Sequence, residues 1–445
     1  MTELTENEKI LDNKIKELKR EFEEQCNGNI PYDMPTLNDV RISNSNLYKL
    51  CKKLPKGGDL HLHDFQLLSS NDLIELFSKR QDVIICIKKG ETFGYMKYLP
   101  KGKEIPNGYM LFRQAMEDGV FTKDEFLDFF TLKNEKKYKN KWDKFEELFK
   151  VVGGLATDSE LYKEMFKLGF TRYCENNIFL IEPHFLMFAD IDTMRPLVKR
   201  VRQAYYEVKK IYPKLVVRLI GGGLKCKPIF DSEDARKRLH TTIKLKEEIK
   251  DEFDPNNIQE FIIGFDLLNE EDKSFPLSDY QKMLKEEKKE NIQYFLHAGE
   301  SLKTENNNIL TAYDIGVKRI GHGFNLYRFP KLMDEIINKD IALEVCPISN
   351  RILGYVDDLR LHPAVKYLKK GIPIVICSDD AEFQELTPLV DDYFAAIICW
   401  NLNLSQIKML IKNSILYSGL SSEETQKIMD HWKESWNIFV KKEKE

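Results

Sequence analysis

The rhythm of apolar and polar positions divides this chain into three regions. Residues 4 to 26 place Ile10, Leu11, Ile15, Leu18 and Phe22 at helical spacing among charged residues, which predicts an amphipathic helix. Pro31 and Pro35 break it, a second short helix is expected over Ser45–Lys53, and Pro55-Lys56-Gly57-Gly58 turns the chain into a first strand. From about Leu73 to Asn140 the pattern is irregular. It holds a helix over Asn71–Lys79, a hairpin around Val83–Leu99, a charged helical piece near Lys123–Leu132 and a lysine-rich run, Lys133–Lys144. Only Tyr138 and Trp142 interleave with those lysines, so the run reads as solvated linker rather than a nucleic-acid surface. The whole stretch, about 66–141, is expected to be an insertion placed to cover a site.

Beyond it, short apolar runs alternate with helical patterns. Strands are predicted at Asn177–Ile181, Leu215–Ile220, Phe261–Asp266, Ile292–His297, Val317–His322, Ile341–Cys346 and Ile374–Ser378. Helices lie between them, as at Met194–Ile211, Ser232–Lys250, Asp279–Glu290 and Arg328–Asn338. With the first strand this makes eight βα units, the count of an α/β (β/α)8 TIM barrel. A doubly wound sheet is the alternative, but no Gly-x-Gly-x-x-Gly follows the first strand. Gly221-Gly222-Gly223 follows a later strand and is read as a loose turn. Glu385–Trp400 and Ser405–Ser418 are closing helices, and Glu423–Lys442 is a terminal amphipathic helix. The expected organisation is an N-terminal helical extension, 1–53, and one barrel, 54–445.

Composition narrows the class. Of 445 residues, 42% are hydrophobic, enough for a large core, and a net charge of -4 gives no general attraction to nucleic acid or to an anionic membrane. No uninterrupted apolar run would span a bilayer, and the charged N-terminus does not read as a secretion signal. The 8 cysteines are scattered without a Cys-x-x-Cys and read as reduced thiols, so a soluble, cytoplasmic protein is expected.

The candidate chemistry gathers at strand ends. His61 and His63 are two apart on the first strand and so share a face. Glu182, Asp266, His297, His322 and Asp379 end later strands, and in a barrel such ends form the active site. Zinc suits a set of imidazoles with a carboxylate, which points to Zn2+ on His61, His63, His297 and Asp379 with a water completing the shell. His322 would steer the resulting hydroxide, Glu300 would donate a proton, and Asp380 would hydrogen-bond a heteroaromatic nitrogen. Glu300 could instead be a helix N-terminal carboxylate, and Asp380 a helix cap. Of the remaining histidines, His240, His362 and His431 are expected to be structural or surface residues, and His184 has no evident partner.

The segments Leu-Pro-Lys-Gly-Gly-Asp-Leu-His-Leu-His-Asp, Phe-Leu-His-Ala-Gly-Glu, Arg-Ile-Gly-His-Gly-Phe, Leu-Glu-Val-Cys-Pro-Ile-Ser-Asn and Ile-Cys-Ser-Asp-Asp resemble the adenosine deaminase superfamily. Their wording is most like its adenosine deaminase-related growth factor branch, over about Leu54 to Ser418. The resemblance implies hydrolysis of adenosine, and of 2'-deoxyadenosine, to the inosine product and ammonia. It implies that Glu300 protonates N1, that His322 assists the hydroxide, that Asp380 contacts N7, and that Asp64 and Glu182 sit at the ribose. It also implies a homodimer through the N-terminal helices. The branch carries Gly-His where this chain has Asn269-Glu270, and an arginine where it has Pro183-His184 after Glu182. Asn269 would still offer its amide to the purine, whereas Glu270 must meet the sugar differently. These departures leave open another adenine compound, such as AMP, an N6-modified adenosine or the free base, with Lys225 and Lys227 as phosphate donors. A non-catalytic, growth-factor-like binding protein would have lost a metal ligand or Glu300, and the chain keeps all of them.

Overall fold

The computed structural model describes residues 3–34, 39–86, 94–132, 135–226, 228–288, 292–381 and 383–444; Pro35 and Lys227 lie outside them. Eight parallel strands form the centre: β1 (Gly57–His63), β2 (Ile178–Leu186), β3 (Leu219–Leu224), β4 (Ile262–Leu268), β5 (Gln293–Ala298), β6 (Arg319–His322), β7 (Ala342–Val345) and β8 (Ile374–Ile376). They pair in chain order, β1 to β8. Beyond β8 the chain returns to β1, where Leu62 bridges Asp379 and the Asp379 N–H donates to the His61 carbonyl at 2.9 Å. The result is a nearly closed (β/α)8 barrel. A helix separates each strand from the next, from Glu160–Glu175 before β2 to Ala364–Lys370 before β8, and Leu404–Leu416 packs against both β1 and β8.

Strand β3 departs from expectation. Gly221, Gly222 and Gly223 continue the strand and pair with β4 instead of turning. Close packing explains them. A Cβ on Gly221 would lie 2.5 Å from Thr242 Oγ1, and one on Gly223 2.8 Å from the Phe265 ring. Gly221→Ala is expected to destabilise the barrel by about 1–3 kcal/mol through overpacking, read as a lower midpoint in denaturant.

The N-terminal helix α1 (Glu6–Gln25) begins with a Thr5–Glu8 capping box and buries Leu11, Ile15, Leu18 and Phe22. It covers helices of its own chain: Phe22 meets Phe394 edge-to-face at 5.2 Å, and Trp436 Nε1 donates to Glu8 at 2.7 Å. Leu11, Ile15, Leu18 and Phe22 are therefore covered within the chain, whereas Ile10, expected on the same face, stays 49% exposed. After β1 come the helix Ser70–Ser78 and, where a hairpin was expected, a three-stranded antiparallel sheet of Val83–Cys86, Met96–Tyr98 and Tyr109–Leu111. A helix not foreseen from the sequence, α2 (Lys141–Val152), then crosses the barrel mouth. Asn140 caps it, accepting from the Trp142 and Asp143 N–H groups, and Phe145, Leu148 and Val152 are buried. Phe145, Leu148, Phe149 and Val152 have amphipathic-helix spacing, a signal masked by the lysines around them.

Candidate active site

The C-terminal ends of the strands open into a cavity of about 540 Å³ roofed by Trp142, Phe145 and Phe149 of α2. His63, His297, His322, Glu300, Asp379 and Asp380 all line it, from four different strands or the turns after them. Three site residues hold left-handed backbone: Asn269 with φ 107°, His322 with φ 62° and Asp379 with φ 57°. Non-glycine residues rarely adopt such angles, and their clustering at one mouth marks strain held by the surrounding barrel.

His61, His63 and His297 each bring a ring nitrogen to within 4.8 Å of the other two. The second nitrogen of two of them is committed. His61 Nδ1 meets Glu344 Oε2 at 2.7 Å, and His297 Nδ1 meets Asp266 Oδ2 at 2.5 Å. Each carboxylate accepts the Nδ1 proton and so leaves an Nε2 lone pair free. His61 Nε2 is buried and has no protein partner. Asp379 Oδ1 stands 3.3 Å from His63 Nε2 and 3.9 Å from His61 Nε2. Three imidazoles within reach of one another, with a carboxylate beside two of them, are a donor set that could hold a divalent cation.

Burial and neighbouring charges set the protonation of each group. Burial drives His297 down to about 4 and His322 well below its ordinary range, so both imidazoles are neutral. His61 is raised: burial is the largest influence and opposes charge there, but the Glu344 hydrogen bond and the charges of Glu344, Asp379 and Asp266 together outweigh it. Glu300 is buried and pushed well up, first by desolvation, then by Asp379 and Glu271, with Lys225 opposing. Its N–H donates to Glu271 at 3.0 Å, and its Oε1 accepts from Asn350 at 3.3 Å and lies 3.6 Å from His322 Nδ1. The next helix starts at Asn308, so Glu300 is not a helix-terminal carboxylate. Asp380 is likewise far from the next helix, Val390–Cys399, and is no cap. Its Oδ1 is buried without a partner, and burial beside Asp379 raises it well above the carboxylate range.

The outer wall contains Asp64, Asn269 and Glu270. Asp64 accepts from the Phe65 and Leu186 N–H groups at 3.0 and 3.2 Å, and burial pushes it up to about 6. Asn269 Oδ1 accepts from the Lys225 N–H at 3.3 Å. Glu270 forms an ion pair with Lys273 at 2.9 Å, outside good hydrogen-bond geometry.

Glu182 is not where the resemblance placed it. Parallel register sets His184, not Glu182, beside His63, so Glu182 falls a layer deeper in the barrel. There it accepts from Arg319 Nη1 at 2.7 Å and from the Gly419 N–H at 2.8 Å. Arg319 also reaches Glu344 at 2.5 Å, so Glu182 supports the carboxylate behind His61 and does not face the cavity. Lys225 is buried but does not line the cavity. The sequence reading missed the aromatic roof and the partner of His184, the Asp266 carboxylate.

Comparisons with known proteins agree with this geometry. The family model for adenosine deaminase matches residues 235–435. Adenosine deaminase 2-A of Danio rerio is 30% identical over 98% of this chain and 90% of its own length. Among solved structures, an Arabidopsis N6-mAMP deaminase superposes with a TM-score of 0.65 at 17% identity, covering 87% of this chain and 99% of that one. An amidohydrolase from Burkholderia ambifaria, with bound Zn, gives 0.65 at 14%, covering 93% and 99%. Near-complete coverage by a 30% identical relative, together with a cluster of imidazoles beside a buried glutamate at a barrel mouth, leads to one conclusion: the chain belongs to the adenosine deaminase family and is a hydrolytic deaminase.

Proposed function

We propose that this protein is a zinc-dependent deaminase converting adenosine, and 2'-deoxyadenosine, to the inosine product and ammonia. The observation that carries the reading is a pair of buried carboxyls, Glu300 and Asp380, biased toward their protonated forms on one cavity with the three imidazoles. His61, His63, His297 and Asp379 would hold the metal. When bound, zinc lowers the pKa of a coordinated water to roughly 7 and so supplies a nucleophile at neutral pH. The Glu300 carboxyl donates its proton to purine N1, which makes C6 electrophilic. The Asp380 carboxyl donates to N7, a ring nitrogen that only accepts, and so sets the base in one orientation. His322, neutral and near Glu300, takes and returns a proton on the attacking side. Asp64 and Glu270 are carboxyl partners for sugar hydroxyls, and Asn269 shapes the purine edge through its unusual backbone.

A second reading, a phosphorylated adenine compound, has a point in its favour: the Arabidopsis neighbour is named for N6-mAMP. The wall chemistry opposes it. Lys150 is the one lysine or arginine among the described lining residues, whereas Asp64, Glu146 and Glu270 line the same cavity. A phosphate there would have Lys150 as its one charge-assisted partner among the described lining residues, against those three carboxyls, whereas such partners normally contribute about 1.5–3 kcal/mol each. Ultraviolet absorbance should show adenosine and deoxyadenosine converted, and AMP at least about tenfold slower by that energy. Adenosine left untouched while AMP or adenine is consumed would transfer the assignment to the second reading. All eight cysteines are free thiols, which supports a reducing, cytoplasmic setting within this proposal.

A further inference from the structure

His184 lies outside the expected ligand set, yet it stands among the metal-site imidazoles. Its ring centroid is 4.7 Å from that of His61 and 5.5 Å from that of His297, and it is fully buried. Its Nδ1 meets Asp266 Oδ2 at 2.8 Å, the same oxygen that meets His297 Nδ1 at 2.5 Å. The other oxygen, Oδ1, accepts the His297 N–H at 2.9 Å and the Leu267 N–H at 2.6 Å. Asp266 therefore accepts four hydrogen bonds, and it sits on β4, two strands away from His184 on β2.

We infer that His184 is a positioning residue of the metal centre: its Nδ1–H braces the Asp266 carboxylate, which in turn aims His297 at the metal. This rests on the metal reading above. A carboxylate held from one side can swing about its last torsion, and the imidazole it orients swings with it. The donor from β2 fixes Oδ2 from the opposite wall. Because Asp266 is the acceptor in both contacts, His184 and His297 both carry their proton on Nδ1. His184 thus presents a bare Nε2, which is buried without a partner. That atom is not part of the mutual cluster formed by His61, His63 and His297, and His184 lines the cavity beside His63 and His297.

Metal affinity tests the brace. His184→Leu keeps apolar volume but removes the donor, and His184→Gln shifts a donor off the Nδ1 position. His184→Asn keeps an amide N–H where Nδ1 stood. Competition with a chromogenic chelator is expected to show zinc dissociation constants raised about 10–100-fold for the leucine and glutamine variants. The asparagine variant should bind close to the parent. Leucine or glutamine variants that hold zinc as tightly as the parent would overturn the brace, and so would an asparagine variant as weak as leucine. Should the leucine variant not fold, the asparagine–glutamine contrast decides alone. A parent protein that takes up no zinc would instead overturn the metal reading itself.

Discussion

Glu300→Gln is expected to keep zinc bound while deamination falls about 10²–10⁴-fold, the usual scale of a lost general acid. Glutamine fills the same volume and can still donate to N1, but it cannot transfer a proton. The site around Glu300 is built for transfer. The side chain is buried, it stands near Asp379 and Glu271, and both neighbours as well as desolvation favour its protonated form. Asn350 and His322 lie at 3.3 and 3.6 Å from its Oε1, so the carboxyl has one preferred direction. Zinc content by metal analysis and turnover by absorbance separate the two effects. A variant that retains zinc and works at near-parent rate would remove Glu300 from the proton-donor role. One that loses zinc would show a structural part in the site.

Chelation of the metal should have a larger effect still, because among the described residues the groups beside the site are poor nucleophiles at neutral pH. The nearest candidates are unsuited. Cys346 is held well above its ordinary range by burial and stays a thiol, and His322 is a neutral imidazole. Activity should return on adding zinc to the stripped protein. The melting temperature should rise with it, since a ligand at 100 times its dissociation constant stabilises the folded state by about 2.7 kcal/mol. Stripped protein that deaminates at the original rate would end the metal assignment.

Several of these features were legible before any coordinates. Strand periodicity puts His61 and His63 on one face, and eight alternating units send their strand ends to one mouth. Those two rules bring His63, His297, His322 and Asp379 together without knowledge of a single contact. Glu300 and Asp380 follow because each sits one to three residues beyond a ligand. The glycine triplet was misread because a loose turn and a strand under close packing look alike along the chain. Only Thr242, Leu268 and Phe265, from elsewhere in the fold, show what a side chain there would strike.

The sequence by itself determined the barrel and which candidate metal-ligating and proton-donating residues meet at its mouth, because these depend on local period and on the order of elements. Tertiary structure alone decided which residue of β2 reaches the site. Register between neighbouring strands set His184 level with His63 and sent Glu182 down to Arg319. It also decided that α2 roofs the cavity and that Asp266 joins two histidines from separate strands. Such contacts join residues tens to hundreds of positions apart, and no pattern along the chain encodes a distance that arises only when the sheet closes.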